Sequence, residues 1–281
     1  MQEPVRKNRL LLSGENELDI VKTFECGQCF RWNADENGVY TGVACGRAAR
    51  VWTENGKVFI SAPESDELFW RDYFDMKLDY ESIRRGFCDM GGYMSVCAEF
   101  GAGIRILRQD RWEALCSFII SQCNNIPRIK KIVETFCRCF GDEIELSGET
   151  YYSFPSAEKI ASLDVDAMAP LRCGYRAPYI ISAARAVAGG ELDMEALAGS
   201  EVDCRSAVKA LRALPGIGEK VANCVVLFGL RKLDAFPIDV WMKRALAENF
   251  PKDFDPAALG KYAGIAQQYI FYYARSGGGE K

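Results

Sequence analysis

The sequence predicts an α+β fold that is mostly helical, with an N-terminal antiparallel sheet followed by a helical core in two lobes. Residues 1 to about 62 contain short β-type runs broken by Asn-Gly turns. From Ser65 onward, apolar residues recur at helical spacing between Gly, Pro and Asn/Asp breakers. Within that part, Leu214-Pro215-Gly216-Ile217-Gly218 interrupts two helical patterns and leaves room only for a tight hairpin. These observations place a sheet domain with flanking helices at residues 1–92 and an all-helical core at 93–281.

In chain order, strands are expected at Phe30-Arg31-Trp32, Val39 to Val43, Ala49 to Trp52 and Lys57 to Ile60, with turns at Asn37-Gly38 and Asn55-Gly56. They would pair as an antiparallel meander. Helices are expected at 65–74, 79–89, 93–100, 111–122, 126–140, 157–162, 177–188, 204–213, 219–229, 240–248 and 256–275. Asp110 with Glu113 reads as a capping box before Trp112, Leu115, Cys116 and Ile119. Val208, Leu211 and Leu214 share the apolar face of the helix entering the hairpin, and Val221, Val225 and Phe228 that of the helix leaving it. Gly277-Gly278-Gly279 reads as a frayed tail.

A chain of 281 residues, 49% apolar and 26% charged, can bury a large core. No apolar run approaches the roughly 18 residues of a membrane span. The polar start Met1 to Lys7 lacks a signal peptide's apolar centre. The protein is therefore expected inside the cell without a membrane partner, at the nucleoid in a prokaryote or in the nucleus of a eukaryote. Of twelve cysteines, Cys88, Cys97, Cys116, Cys137 and Cys224 fall in helical apolar patterns and read as small core residues. Cys26-Gly27-Gln28-Cys29 is the one Cys-x-x-Cys, and with no histidine in the chain no metal site is expected. The same lack excludes a histidine general base or triad.

Net charge is −4, but the sign is segregated. Arg205 to Arg244 holds eight Lys/Arg against three acids, and Ile104 to Arg138 holds seven against three. A basic, DNA-facing side and an acidic back follow as an expectation. The hairpin suits that side, because two short helices joined at Leu214, Gly216 and Gly218 aim main-chain N–H groups outward as a phosphate site, where a bound cation could bridge. Lys220 stands in the first turn of the second helix, and Asp239 follows Pro237 in a loop at 235–240, where it can cap the next helix. An amine nucleophile, a carboxylate and a phosphate clamp in one unit suit chemistry on a nucleotide sugar. The plainer alternative is a helix-hairpin-helix, at about 204–229, that only holds phosphate.

These residues resemble the signature of the helix-hairpin-helix DNA glycosylases, with Lys220 matching the lysine of the bifunctional members and Asp239 their essential aspartate. From Gly27 to Phe271 the chain is similar to one group of them, the 8-oxoguanine DNA glycosylases of the eukaryotic type. Gly27-Gln28-Cys29-Phe30-Arg31-Trp32 resembles that family's Gly-Gln-Ser-Phe-Arg-Trp, which implies that the Gly27 carbonyl accepts from N7–H of the oxidised base. Ordinary guanine has no such proton and would leave the acceptor unsatisfied, at about 1–3 kcal/mol. Gly264 to Phe271 resembles the last helix. That implies Gln267 on the base's Watson–Crick edge and Phe271 on one face, with Cys224 against the other. Cys123-Asn124-Asn125-Ile126-Pro127-Arg128 and Gly174-Tyr175-Arg176-Ala177 resemble the two loops that enter the duplex, implying that Arg128 and Arg176 read the opposite cytosine and Tyr175 wedges at the kink. Cys123 stands where an asparagine fills the vacated stack in the animal enzymes, although Asn124 and Asn125 follow it, and Trp241 stands in place of their histidine. The four-cysteine iron–sulfur loop of some glycosylase relatives has no counterpart after Cys224.

The resemblance implies a bifunctional 8-oxoguanine glycosylase and AP lyase, a monomer acting on double-stranded DNA with no metal or redox cofactor. The rivals are a helix-hairpin-helix glycosylase for another damaged base and a DNA-damage-binding protein without turnover.

Overall fold

The computed structural model describes residues 8–15 and 17–277. Residues 1–7, on which the leader reading rests, and tail glycines 278 and 279 lie outside the described residues. Five strands, β1 (Arg9–Ser13), β2 (Trp32–Ala34), β3 (Tyr40–Ala44), β4 (Arg47–Glu54) and β5 (Lys57–Ser61), form an antiparallel sheet in the order β1-β5-β4-β3-β2. Asn55-Gly56 makes the expected two-residue turn, with both residues at positive φ and Glu54 paired to Lys57. Asn37-Gly38 lies in a longer connection closed by Asp35, whose carboxylate accepts from the N–H groups of Asn37 at 2.8 Å and Val39 at 2.9 Å.

One helix overturns the all-β expectation for this region. α1 (Ile20–Glu25) has six residues, too few for periodicity to reveal, and is started by Asp19, which accepts from the Lys22 N–H at 3.0 Å. Its Phe24 stacks on Trp32 at 4.6 Å in a core that Trp70 and Phe74 complete. α1 ends at Cys26, so it delivers the chain directly into the Gly27 loop.

The helices that follow are α2 (Glu67–Tyr73), α3 (Tyr80–Asp89), α4 (Gly92–Phe100), α5 (Arg111–Ser121), α6 (Ile126–Phe140), α7 (Ala157–Ala161), α8 (Ala177–Ala188), α9 (Met194–Ala198), α10 (Cys204–Arg212), α11 (Glu219–Phe228), α12 (Val240–Asn249) and α13 (Ala263–Arg275). Between α6 and α7 a hairpin, β6 (Glu143–Leu146) with β7 (Glu149–Tyr152), turns through Ser147-Gly148, both at positive φ. The hairpin and α9 were not expected, since each run is only four or five residues. The expected single helix 256–275 is two elements. A 3₁₀ segment, Pro256–Tyr262, precedes α13, and Gly260 within it, at φ 71 and ψ −159, interrupts the helical backbone.

Tyr80 and Phe87 of α3 and Met94 and Cys97 of α4 join the helical core, which is built on Ile119, Phe136, Ile180, Leu211, Val225 and Ile270. The sheet and the helical core meet along residues 101–109. Buried Asp75 anchors this seam, accepting from Arg108 Nε at 3.0 Å and Tyr80 Oη at 2.9 Å, and from Arg231 in the turn after α11. Arg231 also donates to the Ile106 carbonyl at 2.9 Å. Removing one side of such a buried pair costs about 3–5 kcal/mol, so the seam fixes the end of α11 relative to the sheet. Among the described residues, no helix is long and apolar enough to cross a membrane.

Part of the basic excess read from the sequence is therefore structural. Arg105 is buried, with its guanidinium on the carbonyls of Glu17, Asp75 and Leu78, and Arg111 pairs with Glu195 at 2.6 Å. Charge counts cannot separate a buried arginine such as Arg105, or a paired one such as Arg111, from exposed Arg128, Lys131, Arg205, Lys209 and Lys243.

Candidate active site

α10 and α11 form the expected helix-hairpin-helix. Val208, Leu211, Val221, Val225 and Phe228 are buried beneath it, and Leu214 is half-buried at the turn. Gly216 has φ +77, and a Cβ there would lie 2.2 Å from Tyr179 Cδ2, so the turn can be tight only without a side chain. Gly218 caps α11 from extended backbone and faces open space. The N–H groups of Gly216 and Gly218 donate to no described residue, whereas that of Leu214, expected to join them, is taken by the Leu211 carbonyl at 3.1 Å as the helix end closes. Arg212 and Glu219 bridge the two arms at 2.6 Å on the surface, a contact worth at most about 1 kcal/mol.

In the first turn of α11, half-buried Lys220 lies near Cys224, four residues on and so on the same helix face. Burial pushes the Cys224 thiol up against the opposing pull of Lys220, while the nearby Asp239 carboxylate also raises it. These three residues therefore share one local field. The Lys220 amine stands 5.7 Å from the ring centroid of Phe118 on α5. Asp239 caps α12 as expected, with Oδ1 accepting from the Met242 N–H at 2.8 Å. That bond fixes the carboxylate's direction and leaves Oδ2 for other work. The Asp110 cap of α5 also forms, at 2.7 Å to the Glu113 N–H. The reciprocal half of that box does not, because Glu113 turns inward, 3.8 Å from Arg31.

The Gly27 loop arrives from the sheet side. Gly27 has φ +79, and a Cβ on it would meet Phe271 Cε1 and Ile126 Cδ1 at 3.5 Å each. Residues 244 positions apart thus form one wall. The Gly27 carbonyl accepts no hydrogen bond from the described residues. Phe30, three residues on, packs edge-on against Phe118 at 5.8 Å, so Phe118 carries both the Gly27 loop and the Lys220 amine. The sequence reading missed Phe118, since nothing in an apolar helix marks one phenylalanine as the shared support. Cys26 and Cys29 on either side are buried, and burial pushes the Cys26 thiol up to about 12 and the Cys29 thiol well above its usual range. Among the described residues no group of three Cys, Asp or Glu side chains could hold a metal ion.

Gln267 and Phe271 lie on one face of α13. The Gln267 amide donates to the Pro237 carbonyl at 3.1 Å and accepts from Gln268 Nε2 at 2.8 Å. It therefore ties the wall to the loop that carries Asp239, and one N–H and one lone pair of the amide remain.

The two loops expected to enter the duplex are adjacent, but not all their side chains project. Arg128 is exposed, on the first turn of α6. Tyr175 is half-exposed, and a hydrogen bond to the Cys123 sulfur holds its phenol above the usual range. Arg176, expected to project as well, is turned inward. It is buried, with Nε on the Gln122 carbonyl at 2.9 Å and Nη1 on the Cys173 carbonyl at 3.1 Å, and its guanidinium lies under the Tyr175 ring. The cause is the end of α5, whose free carbonyls need donors. Asn124 is likewise folded back, with Nδ2 on the Ile120 carbonyl at 2.8 Å, which withdraws it from the duplex side. Trp241 is half-exposed in the first turn of α12.

Residues 10–115 match the N-terminal domain of 8-oxoguanine DNA glycosylase, and residues 116–255 match the HhH-GPD superfamily of base excision DNA repair proteins. A probable N-glycosylase/DNA lyase of Methanothermobacter thermautotrophicus is 30% identical over 93% of this chain and 95% of its own. N-glycosylase/DNA lyase OGG1 of Arabidopsis thaliana is 29% identical over 91% and 77%. Among solved structures, MBOgg1 in complex with a low-affinity DNA ligand superposes with a TM-score of 0.89 at 39% identity over 97% of both chains. The Clostridium acetobutylicum 8-oxoguanine glycosylase/lyase bound to double-stranded DNA containing cytosine opposite 8-oxoguanine gives 0.86 at 34% identity, over 94% of this chain and 93% of that one. Taken with the lysine, the aspartate and the hairpin, these likenesses mean that the chain belongs to the 8-oxoguanine DNA glycosylase family of N-glycosylase/DNA lyases.

Proposed function

We propose that this chain excises 8-oxoguanine opposite cytosine from double-stranded DNA and then cuts the strand at the resulting site. The observation that carries this reading is the convergence of two distant segments. The Gly27 carbonyl and the Phe271 ring form one wall, and Phe118 links that wall to Lys220. A base flipped out of the stack would lie along Phe271, with Cys224 on its other face, Gln267 at its Watson–Crick edge and the Gly27 carbonyl at N7–H. The free N–H groups of Gly216 and Gly218 in the hairpin hold a phosphate, with or without a bridging cation.

In the chemical step the Lys220 amine attacks the anomeric carbon as the glycosidic bond breaks and the base leaves with the bonding electron pair. Asp239, held by its cap to α12, stabilises the positive charge that develops on the sugar. Loss of a proton and ring opening give a Schiff base, and β-elimination of the 3′ phosphate cuts the strand. No metal or redox cofactor enters these steps. Exposed Arg128 leads the reading of the opposite cytosine and Tyr175 enters at the kink. Arg176 shapes the loop beneath Tyr175 and joins the reading only by exchanging its carbonyl partners. We read the enzyme as a monomer acting inside the cell, at the nucleoid or in the nucleus.

The test is borohydride trapping on a duplex carrying 8-oxoguanine opposite cytosine, with undamaged duplex as control and Lys220→Gln alongside. A covalent band that needs the lesion and vanishes in the variant supports nucleophile and substrate together. Binding without a band would leave a water-using glycosylase or a damage-binding protein.

A further inference from the structure

We propose that Gln28 and Gln109 are positioning residues that aim the Gly27 carbonyl at the lesion and so set the discrimination between oxidised and ordinary guanine; this rests on the reading of Gly27 given above. Gly27 has no side chain with which to fix its own peptide, and its φ of +79 lies in a region where the backbone of glycine moves freely. The acceptor belongs to the peptide that joins Gly27 to Gln28. Its direction is therefore set by how firmly Gln28 is held.

Gln28 is 0% exposed, and both ends of its amide are used. Nε2 donates to the carbonyls of Thr23 at 2.9 Å and Arg105 at 2.7 Å, while Oε1 accepts from the Leu107 N–H at 2.9 Å. Two carbonyls on one end and an N–H on the other admit only one orientation of the amide. These partners lie on α1 and on the 101–109 seam, which is itself locked through Asp75 and Arg231. On the other side of the same α-carbon, the Gln28 carbonyl accepts from Gln109 Nε2 at 2.8 Å. Gln109 precedes Asp110, the cap of α5, and α5 also carries Phe118. The residue after Gly27 is thus held on its side chain and on its carbonyl by elements that also frame the site.

Hydrogen bonds weaken steeply once the donor angle falls toward about 120°. A small rotation of the Gly27–Gln28 peptide would therefore lose the one contact that distinguishes the oxidised base. Stacking on Phe271 and attack by Lys220 would not depend on that rotation, so the role separates from the chemistry. An abasic site has no base to recognise, and its cleavage provides the internal control.

Single-turnover excision from an 8-oxoguanine·cytosine duplex and cleavage of a preformed abasic site would be measured for the full chain, for Gln109→Leu and for Gly27→Ala. Gln109 is half-buried, so its replacement is tolerable to the fold, which buried Gln28 does not promise. Loss of one neutral hydrogen bond predicts that Gln109→Leu slows excision roughly three- to tenfold, with abasic-site cleavage held within about twofold and a melting temperature lowered by no more than about 5 °C. Excision at the wild-type rate, or a parallel fall in both reactions, overturns the positioning role. A wild-type chain that ignores 8-oxoguanine, or a Gly27→Ala variant that excises it at the wild-type rate, instead overturns the reading of Gly27.

Discussion

Gly216→Ala asks whether the hairpin and the duplex-entering loop are one mechanical unit. At Gly216 a Cβ would sit 2.2, 2.4 and 2.6 Å from the Cδ2, Cγ and Cε2 atoms of Tyr179, at a backbone φ of +77. Holding an L-residue in that left-handed region costs about 1–2 kcal/mol, and forcing a packed ring aside costs about 1–3 kcal/mol more. The sum, about 2–5 kcal/mol, corresponds to a melting temperature lower by roughly 5–15 °C for a chain of this size. Tyr179 also meets Tyr175 edge-on at 6.1 Å, so a displaced ring disturbs the side chain expected at the kink. DNA affinity should fall along with stability. Denaturant unfolding of Gly216→Ala, Tyr179→Ala and the double variant isolates the overlap. In the Tyr179→Ala background the alanine should cost only its backbone part, about 1–2 kcal/mol. An identical cost in both backgrounds would refute the close contact and with it the coupling of hairpin to loop.

Asp239→Asn keeps an oxygen for the Met242 N–H but removes the charge, and Asn caps helices as well as Asp does. It should melt with the wild type yet excise on the order of 10²-fold more slowly, whereas Asp239→Ala should also lose about 1 kcal/mol of stability. If the two variants melt alike, the cap is not the aspartate's structural role. Arg128→Ala should leave the melting temperature unchanged and relax the preference for opposite cytosine, because that side chain is exposed. Arg176→Ala should unfold more easily by about 2 kcal/mol, through the abandoned carbonyls of Gln122 and Cys173. Equal melting of both arginine variants would contradict the inward turn of Arg176. Burial raises the Glu113 carboxyl to about 7, with Arg31 opposing. The folded chain then holds a proton that the unfolded chain releases above about pH 4.3, so this group costs stability as pH rises from there to about 7 and adds no further slope above it. Glu113→Gln should flatten that part of the melting curve against pH, and an unchanged slope would show that Glu113 does not carry it.

Much of the site was legible because its chemistry is local. The hairpin follows from Pro215 and two glycines, the pairing of Lys220 with Cys224 from a four-residue helical repeat, and the cap at Asp239 from its place before an apolar run. Each depends on bonds within a few residues, which the chain specifies wherever it folds. α1, α9 and the β6–β7 hairpin escaped notice because four to six residues are too few to establish a period, and Gly260 divided a helix whose apolar spacing continues across it.

What only the tertiary structure decided is which side chains face outward and which distant segments touch. Arg128 and Arg176 look alike in sequence, yet one is exposed and the other satisfies the Gln122 carbonyl that ends α5 and the Cys173 carbonyl beside it. Arg105 and Arg231 count toward a basic surface until the seam places them on buried carbonyls and on Asp75. Asn124 stands beside a gap-filling position but spends its amide on Ile120. The wall made by Gly27 and Phe271, and the Phe118 ring that joins it to Lys220, exist only after the sheet domain has packed on the helices. The physical reason is that local sequence sets dihedrals and caps, whereas the fate of a polar side chain depends on which unsatisfied groups and which solvent it meets once remote elements close around it.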